Sequence, residues 1–231
     1  MKYKNLTIIG TSHISIESVK KVEETIEGKK PDIVALELDK DRFYSLLNKK
    51  KGRRLSGVGM KGFLFGVIGA YVEKKLGKIV NVEPGSEMLA AIKLAKKHKI
   101  AVALIDQHIS ITLKRFSQTF SWKEKWNLII DIFRGMFSKE KELEKIGLKS
   151  LDLTRVPEKK VIKKLIGFVK KRYPNIHNVL IKERNEVMST NLAKLMVSRP
   201  KETIVAVIGA GHEEDILNQV KQKVYKYKKG T

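Results

Sequence analysis

The sequence has no cysteine, which excludes structural disulfides and cysteine-rich zinc modules and suits a reducing compartment such as the cytoplasm. It has no apolar run of the ~20 residues that a spanning helix needs; the longest, Phe63 to Val72, is much too short. No signal peptide is visible, because Met1 to Gly10 leads straight into a strand-like segment. Neither Gly-x-x-x-x-Gly-Lys-Ser/Thr nor Gly-x-Gly-x-x-Gly follows the first strand, which argues against a nucleotide-binding enzyme. A Gly-x-Ser-x-Gly elbow is missing too, which argues against a serine hydrolase. There is no His-Glu-x-x-His and no repeat of solenoid length.

Acidic residues are also scarce. Asp and Glu number 25 against 48 Lys and Arg, a net charge of +23. Such an excess favours an anionic membrane surface or nucleic acid, or else reflects a lysine-rich solvated surface. The Lys-rich segment Lys221 to Lys229, interleaved with Tyr225 and Tyr227, is the candidate for contact with an anionic membrane. Nucleic-acid binding rests on charge alone. What is plentiful is apolar residue: 42% of 231 residues, enough for one large domain with a core of its own.

Four short apolar runs read as buried parallel strands: Leu6–Ile9, Ile33–Leu36, Ala101–Ile105 and Ile204–Ile208. Helical spacing separates most of them. Ile16, Val19, Val22 and Ile26 form one stripe, closed by Gly28 and Pro31; Asp39 caps a second helix carrying Phe43, Leu46 and Leu47; Pro84-Gly85-Ser86 opens a third. From Lys114 to Arg199 only helices are predicted: Trp122 to about Gly147, Pro157 to Tyr173, and Asn175 to Val197. The fold class is therefore α/β, a mostly parallel sheet flanked by helices. The expected organisation is a single domain over 1–231, with a helical insertion or cap at 115–199 before the last strand. The glycine-rich apolar stretch Gly52 to Gly77 reads as a buried helix or a flap beside the site.

Ligands of such sheets bind beyond the carboxyl ends of the strands. Those ends carry Gly10-Thr11-Ser12-His13, Glu37-Leu38-Asp39, Asp106-Gln107-His108 and Gly209-Ala210-Gly211-His212. Two Gly-x-x-His turns and several carboxylates thus converge on one edge. A lone histidine after a strand is more often a cap than a ligand. Glu37, however, follows a fully apolar run and needs a partner from elsewhere in the fold. Two histidines, His13 and His212, with Glu37 and an open position form a common set for a hydrolytic metal centre. Arg184 falls inside the apolar stripe Ile176, Leu180, Met188, Leu192, Leu195, with Glu183 beside it. It is either a structural clamp to a carboxylate or a source of electrostatic stabilisation. Asp106, His108, Arg115 and Glu87 are supporting candidates, whereas His98 and His177 read as surface or structural histidines.

Gly10 to His13, Pro31 to Asp39, Pro84 to Met88, Glu183-Arg184-Asn185 and Val207 to His212 together resemble the TraB/PrgY family, related to the animal TIKI proteins. The resemblance spans nearly the whole chain in order. It implies a fold like that of the erythromycin-esterase and ChaN-like group. It implies a site at His13, Glu37 and His212, supported by Glu183 and Arg184. It also implies a metal-dependent peptidase using manganese or cobalt, as in the TIKI branch, or a role in shutting down a peptide pheromone, as in the bacterial branch. Relatives tend to carry Asp-Arg-Asp where this chain has Asp106-Gln107-His108, which removes a cation and adds an imidazole. Archaeal-type members often continue into membrane helices, so the resemblance allows this chain to be the soluble part of a longer membrane protein. The expected partner is a peptide substrate or ligand. A membrane-associated module that binds a peptide without cleaving it is the alternative, and a homo-oligomer stays open.

Overall fold

The structure, a computed structural model, describes residues 1–12, 15–48, 85–137 and 158–229. His13, the glycine-rich stretch Gly52 to Gly77, Pro84, Pro157 and the expected continuation of the Trp122 helix to Gly147 lie outside the described residues.

Among those residues the sheet has five strands: β1 (Lys2–Tyr3), β2 (Leu6–Thr11), β3 (Ile33–Leu36), β4 (Ala101–Leu104) and β5 (Ile204–Gly209). Their order is β1-β2-β5-β3-β4. All neighbours are parallel except β1, a two-residue edge strand that runs antiparallel to β2. This edge strand is an addition to the sequence reading. The last strand in the chain is the middle strand of the sheet, with all six residues buried.

Side chains alternate across a strand, and on β5 the alternation sorts two cores. Ile204, Ala206 and Ile208 join Leu6, Ile8, Ile33 and Ala35 on one face. Two helices cover that face: α8 (Arg184–Ser198) through Met188, Leu192 and Met196, and α9 (Glu213–Lys229) through Ile216, Val220 and Val224. Val205 and Val207 join Ile9, Val34 and Leu36 on the other face. There they meet Val22 and Ile26 of α1 (Ile16–Lys29) and Met88, Ala91, Ile92 and Ala95 of α3 (Ser86–Lys97). Truncating a fully buried member such as Ile208 to Ala costs about 2–5 kcal/mol in cores of this kind.

Helix ends follow local chemistry. The Asp39 carboxylate accepts from the N–H groups of Asp41 (2.9 Å) and Arg42 (3.1 Å), capping α2 (Lys40–Leu47). Gly28 does not end α1. Lys30 does so, with φ 43 in the left-handed region and its N–H on Ile26 O. The inward face of α1 is Ser18, Val22 and Ile26, whereas Ile16 is exposed.

The helical segment before β5 departs from the sequence reading in two ways. A further helix, α4 (Ile109–Thr119), precedes α5 (Trp122–Phe137) and α6 (Lys159–Arg172). The expected Asn175-to-Val197 helix is also not continuous: α7 (Pro174–His177) leads into a π-helical turn, Asn178–Glu183, and only then into α8. The wider turn changes the helix register. Ile176, Val179 and Leu180 pack with Phe116 and Phe120 in a small separate cluster, while Met188 and Leu192 face the sheet. Such turns inside α-helices occur frequently at functional sites.

Candidate active site at the carboxyl edge of the sheet

The register that places β5 between β2 and β3 sets Gly209 opposite Thr11 and Val207 opposite Leu36. Glu37 follows β3, its N–H on Val207 O (3.1 Å), and its buried carboxylate accepts from the Gly209 N–H at 2.6 Å. Ala210 N–H donates to Thr11 O at 2.8 Å, drawing the Gly209-to-His212 turn against the end of β2. Gly10 eases that approach. A Cβ there would lie 2.8 Å from a Glu213 carboxylate oxygen and 3.2 Å from the Ala210 backbone.

Arg184 enters from the first turn of α8, immediately after the π turn. Its guanidinium donates to Asp106 (Nη2 to Oδ2, 2.7 Å), to Glu37 Oε1 and to the Leu180 carbonyl (3.2 Å). Arg42, from α2, donates to Asp39 Oδ2 at 2.7 Å and to Asp106 Oδ2. Burial raises the pKa of Asp106, but the hydrogen bonds and charges of Arg184 and Arg42 outweigh it and hold the carboxyl below its ordinary range. Burial likewise works against the charge on Arg184. Asp106 and Glu37 more than compensate, and its pKa is raised. Glu37, Asp39 and Asp106 set three carboxyl groups against the two guanidiniums, an excess of acidic groups within this set.

His212 stands beside that excess, with Nε2 at 3.7 Å from Glu37 Oε1. Its Nδ1 lies 2.5 Å from Asn185 Oδ1, and Asn185 Nδ2 donates to Asp215 at 3.4 Å. A carboxylate accepts only, so Asp215 turns the Asn185 amide to present its oxygen to the ring. With the amide oxygen against the ring, this contact favours the neutral tautomer protonated at Nδ1, which leaves Nε2 on the side of Glu37. A histidine with Nδ1–H held by a fixed acceptor is the arrangement found behind metal-bound imidazoles. His212 Nε2 and Glu37 Oε1 thus fit as an N,O donor pair for a divalent ion, while Arg184 competes for the same oxygen. A pocket of about 400 Å³ opens beside the group, lined by Glu37, Arg42 and Arg184 and by Leu38, Leu46 and Met88.

Glu37, Asp106, His212 and Arg184 are therefore brought together. Other sequence candidates are placed elsewhere. Glu183 bonds Arg115 (2.7 Å) and Asn178 (3.0 Å) in a half-exposed group. Glu87 is fully buried in the first turn of α3. His108 caps α4, accepting from the Ser110 N–H at Nδ1, and its Nε2 is 2.8 Å from Asp41. Among the described residues, Asp39, Asp41 and His108 form a group whose ligand atoms lie close enough to hold a metal ion. Sequence reading missed Arg42 and Asn185. Arg42 is one basic residue among many, but its place one turn after the Asp39 cap was a usable signal. Asn185 was visible only as the neighbour of Arg184.

A family model described as the TraB/PrgY/gumN family matches residues 2–229. The chain belongs to that family. Among relatives of this TraB-family chain, an uncharacterized protein of Methanocaldococcus jannaschii is 36% identical over 223 residues, covering 94% of this chain and 54% of the relative. TraB domain-containing proteins of Bos taurus and Homo sapiens are 24% and 23% identical over 241 residues, covering 89% of this chain and 59% and 60% of theirs. The TraB-family chain thus spans little more than half the length of the curated relatives it matches. No helix among its described residues is long and apolar enough to cross a membrane.

Proposed function

We propose that this TraB-family chain is a divalent-metal-dependent hydrolase acting on a peptide, with His212 and Glu37 as its working pair. The observation that carries the reading is the approach of His212 Nε2 to Glu37 Oε1 at 3.7 Å, with the other ring nitrogen held against Asn185 Oδ1. His212 and Glu37, with His13, would hold the ion, which when bound supplies an acidified water and a polarised carbonyl. The chain's own groups divide the remaining work. Arg184 and the Gly209 N–H hold the Glu37 carboxyl in place through both of its oxygens. Glu37, as general base where it is not itself a ligand, takes the proton from water as it adds to the peptide carbonyl; the C–N bond then breaks and the amine leaves with that proton. Arg42, already paired with Asp39 and Asp106, makes the pocket wall polar, and Leu38, Leu46 and Met88 offer apolar contact for a side chain.

A peptide-library cleavage assay with manganese tests the reading. Turnover is expected, falling at least about a hundredfold in Glu37→Gln and in His212→Ala. Calorimetric metal titration supplies the second arm, and stoichiometric binding that survives His13→Ala with His212→Ala would sink the ligand assignment. One observation favours a rival, capture of a peptide without cleavage: Arg184 and the Gly209 N–H already engage both Glu37 oxygens. Under that reading peptide binding persists in Glu37→Gln and no peptide is cut by any form.

A further inference from the structure

Helix α5 is anchored by its polar face. Glu124 accepts from the backbone N–H (2.7 Å) and side chain (2.9 Å) of Asn175, and Asn127 donates to the Arg172 carbonyl at 3.2 Å. Asp131 receives Arg172 (2.8 Å) and the Tyr173 hydroxyl (2.5 Å). Leu128 lies with this face, in the cluster of Phe116, Phe120 and Val179. The opposite stripe, at spacings of four, seven and eight residues, is Trp122, Trp126, Ile129 and Ile130. Trp122 is 75% exposed and Trp126 61%, and both isoleucines are exposed as well. In an ordinary amphipathic surface helix the apolar stripe faces inward. Here the hydrogen bonds fix the reverse orientation and turn two indoles outward.

The chemistry around the stripe selects its occupant. Lys125 Nζ lies 4.4 Å over the Trp122 ring, and Lys123 beside it is exposed. Arg172 ties the last turn of α6 to Asp131, which brings exposed Lys170 and Lys171 to the same helix pair. Indoles interleaved with ammonium groups match the boundary of an anionic bilayer, where rings rest at headgroup depth and lysines meet phosphates. A second copy is a poor occupant: each chain carries +23, and the flanking lysines would face one another. We propose that the outward face of α5 docks this protein on a phospholipid bilayer containing anionic headgroups.

The chain has two tryptophans, both on this face, so intrinsic emission reports on it directly. With mixed phosphatidylcholine–phosphatidylglycerol vesicles the emission is expected to shift to the blue and to be quenched by bilayer-embedded brominated lipid. With pure phosphatidylcholine it is expected to stay as in buffer. Trp122→Ser with Trp126→Ser should lower co-sedimentation with the mixed vesicles by roughly tenfold or more, with unchanged circular dichroism. Lys226→Gln, Lys228→Gln and Lys229→Gln together should leave the emission shift in place. Absence of co-sedimentation overturns the proposal. So does co-sedimentation with unchanged emission, which would assign binding to charge elsewhere. Blue emission in the free protein that vesicles do not alter also overturns it, because another copy or segment then covers the face.

Discussion

Arg184 donates to Asp106, Glu37 and Leu180 O, and without it two buried carboxylates would face each other with less to hold them apart. Arg184→Ala is expected to cost about 3–5 kcal/mol, the usual penalty for leaving a buried partner uncompensated, read from urea midpoints. Adding Glu37→Gln and Asp106→Asn should recover much of that loss, because the stranded charges are gone. Asp106 also sets an acid limb. Its folded pKa lies below the ordinary 3.8, so its contribution is complete above that value and is lost as pH falls through the depressed one. Urea midpoints measured from pH 6 downward, as a chosen range of about four units, should fall below about pH 4 and do so less steeply in Asp106→Asn. Asn185→Leu removes the acceptor behind His212. A drop of about 10–100-fold in metal affinity or turnover is expected, together with a mixed tautomer signal in nitrogen NMR of the ring. Glu183→Gln serves as the contrast. Its partners are Arg115 and Asn178, so turnover should change little.

The π turn at Asn178–Glu183 is the element that delivers Arg184 and Asn185 to the sheet edge. Deleting exposed Lys182 should restore an α-helical register and rotate Ile176, Val179 and Leu180 out of their cluster, because Met188 and Leu192 hold α8 to the sheet. The expected readout is near-unchanged helical circular dichroism with a lowered urea midpoint. No composition or spacing rule announced that turn, since Ile176, Leu180, Met188 and Leu192 read as one uninterrupted α stripe. β2, β3 and β5 were legible because parallel strands buried on both faces are continuous apolar runs; β4, expected to be buried as well, is instead an edge strand exposed at Ala101 and Val102. Their ends alone suffice to set Glu37, Asp106 and His212 on one edge. Other features depend on partners distant in sequence. β1 is two residues long and exists by pairing with β2. α4 buries only Thr112 and Phe116, and its inward face is defined by the Val179 cluster it meets from a segment much later in the chain. Arg42 gains its role when β4 brings Asp106 beside α2. Asn185 gains its own when α9 sets His212 and Asp215 on either side of it.

At the scale of the molecule, a charge of +23 makes self-repulsion a standing cost. Thermal midpoints at pH 7 should therefore rise as salt is raised from about 10 to about 200 mM, where screening shortens to less than about 10 Å. Differential scanning calorimetry checks this, and a falling midpoint would assign net stabilisation to the surface ion pairs instead. The strand order has a different kind of consequence. β5 is the middle strand yet emerges from the ribosome after every helix that precedes it. Until then β2 and β3 have no partner between them, and the apolar faces of α1 and α3 have only part of a sheet to cover. Any β1–β2 or β3–β4 pairing made before β5 is available has an open inner edge, exposed to mispairing and to chaperone capture. The alignment of Glu37, Gly209 and His212 therefore waits on the last strand of the chain, because it exists only with Ile204–Gly209 between β2 and β3.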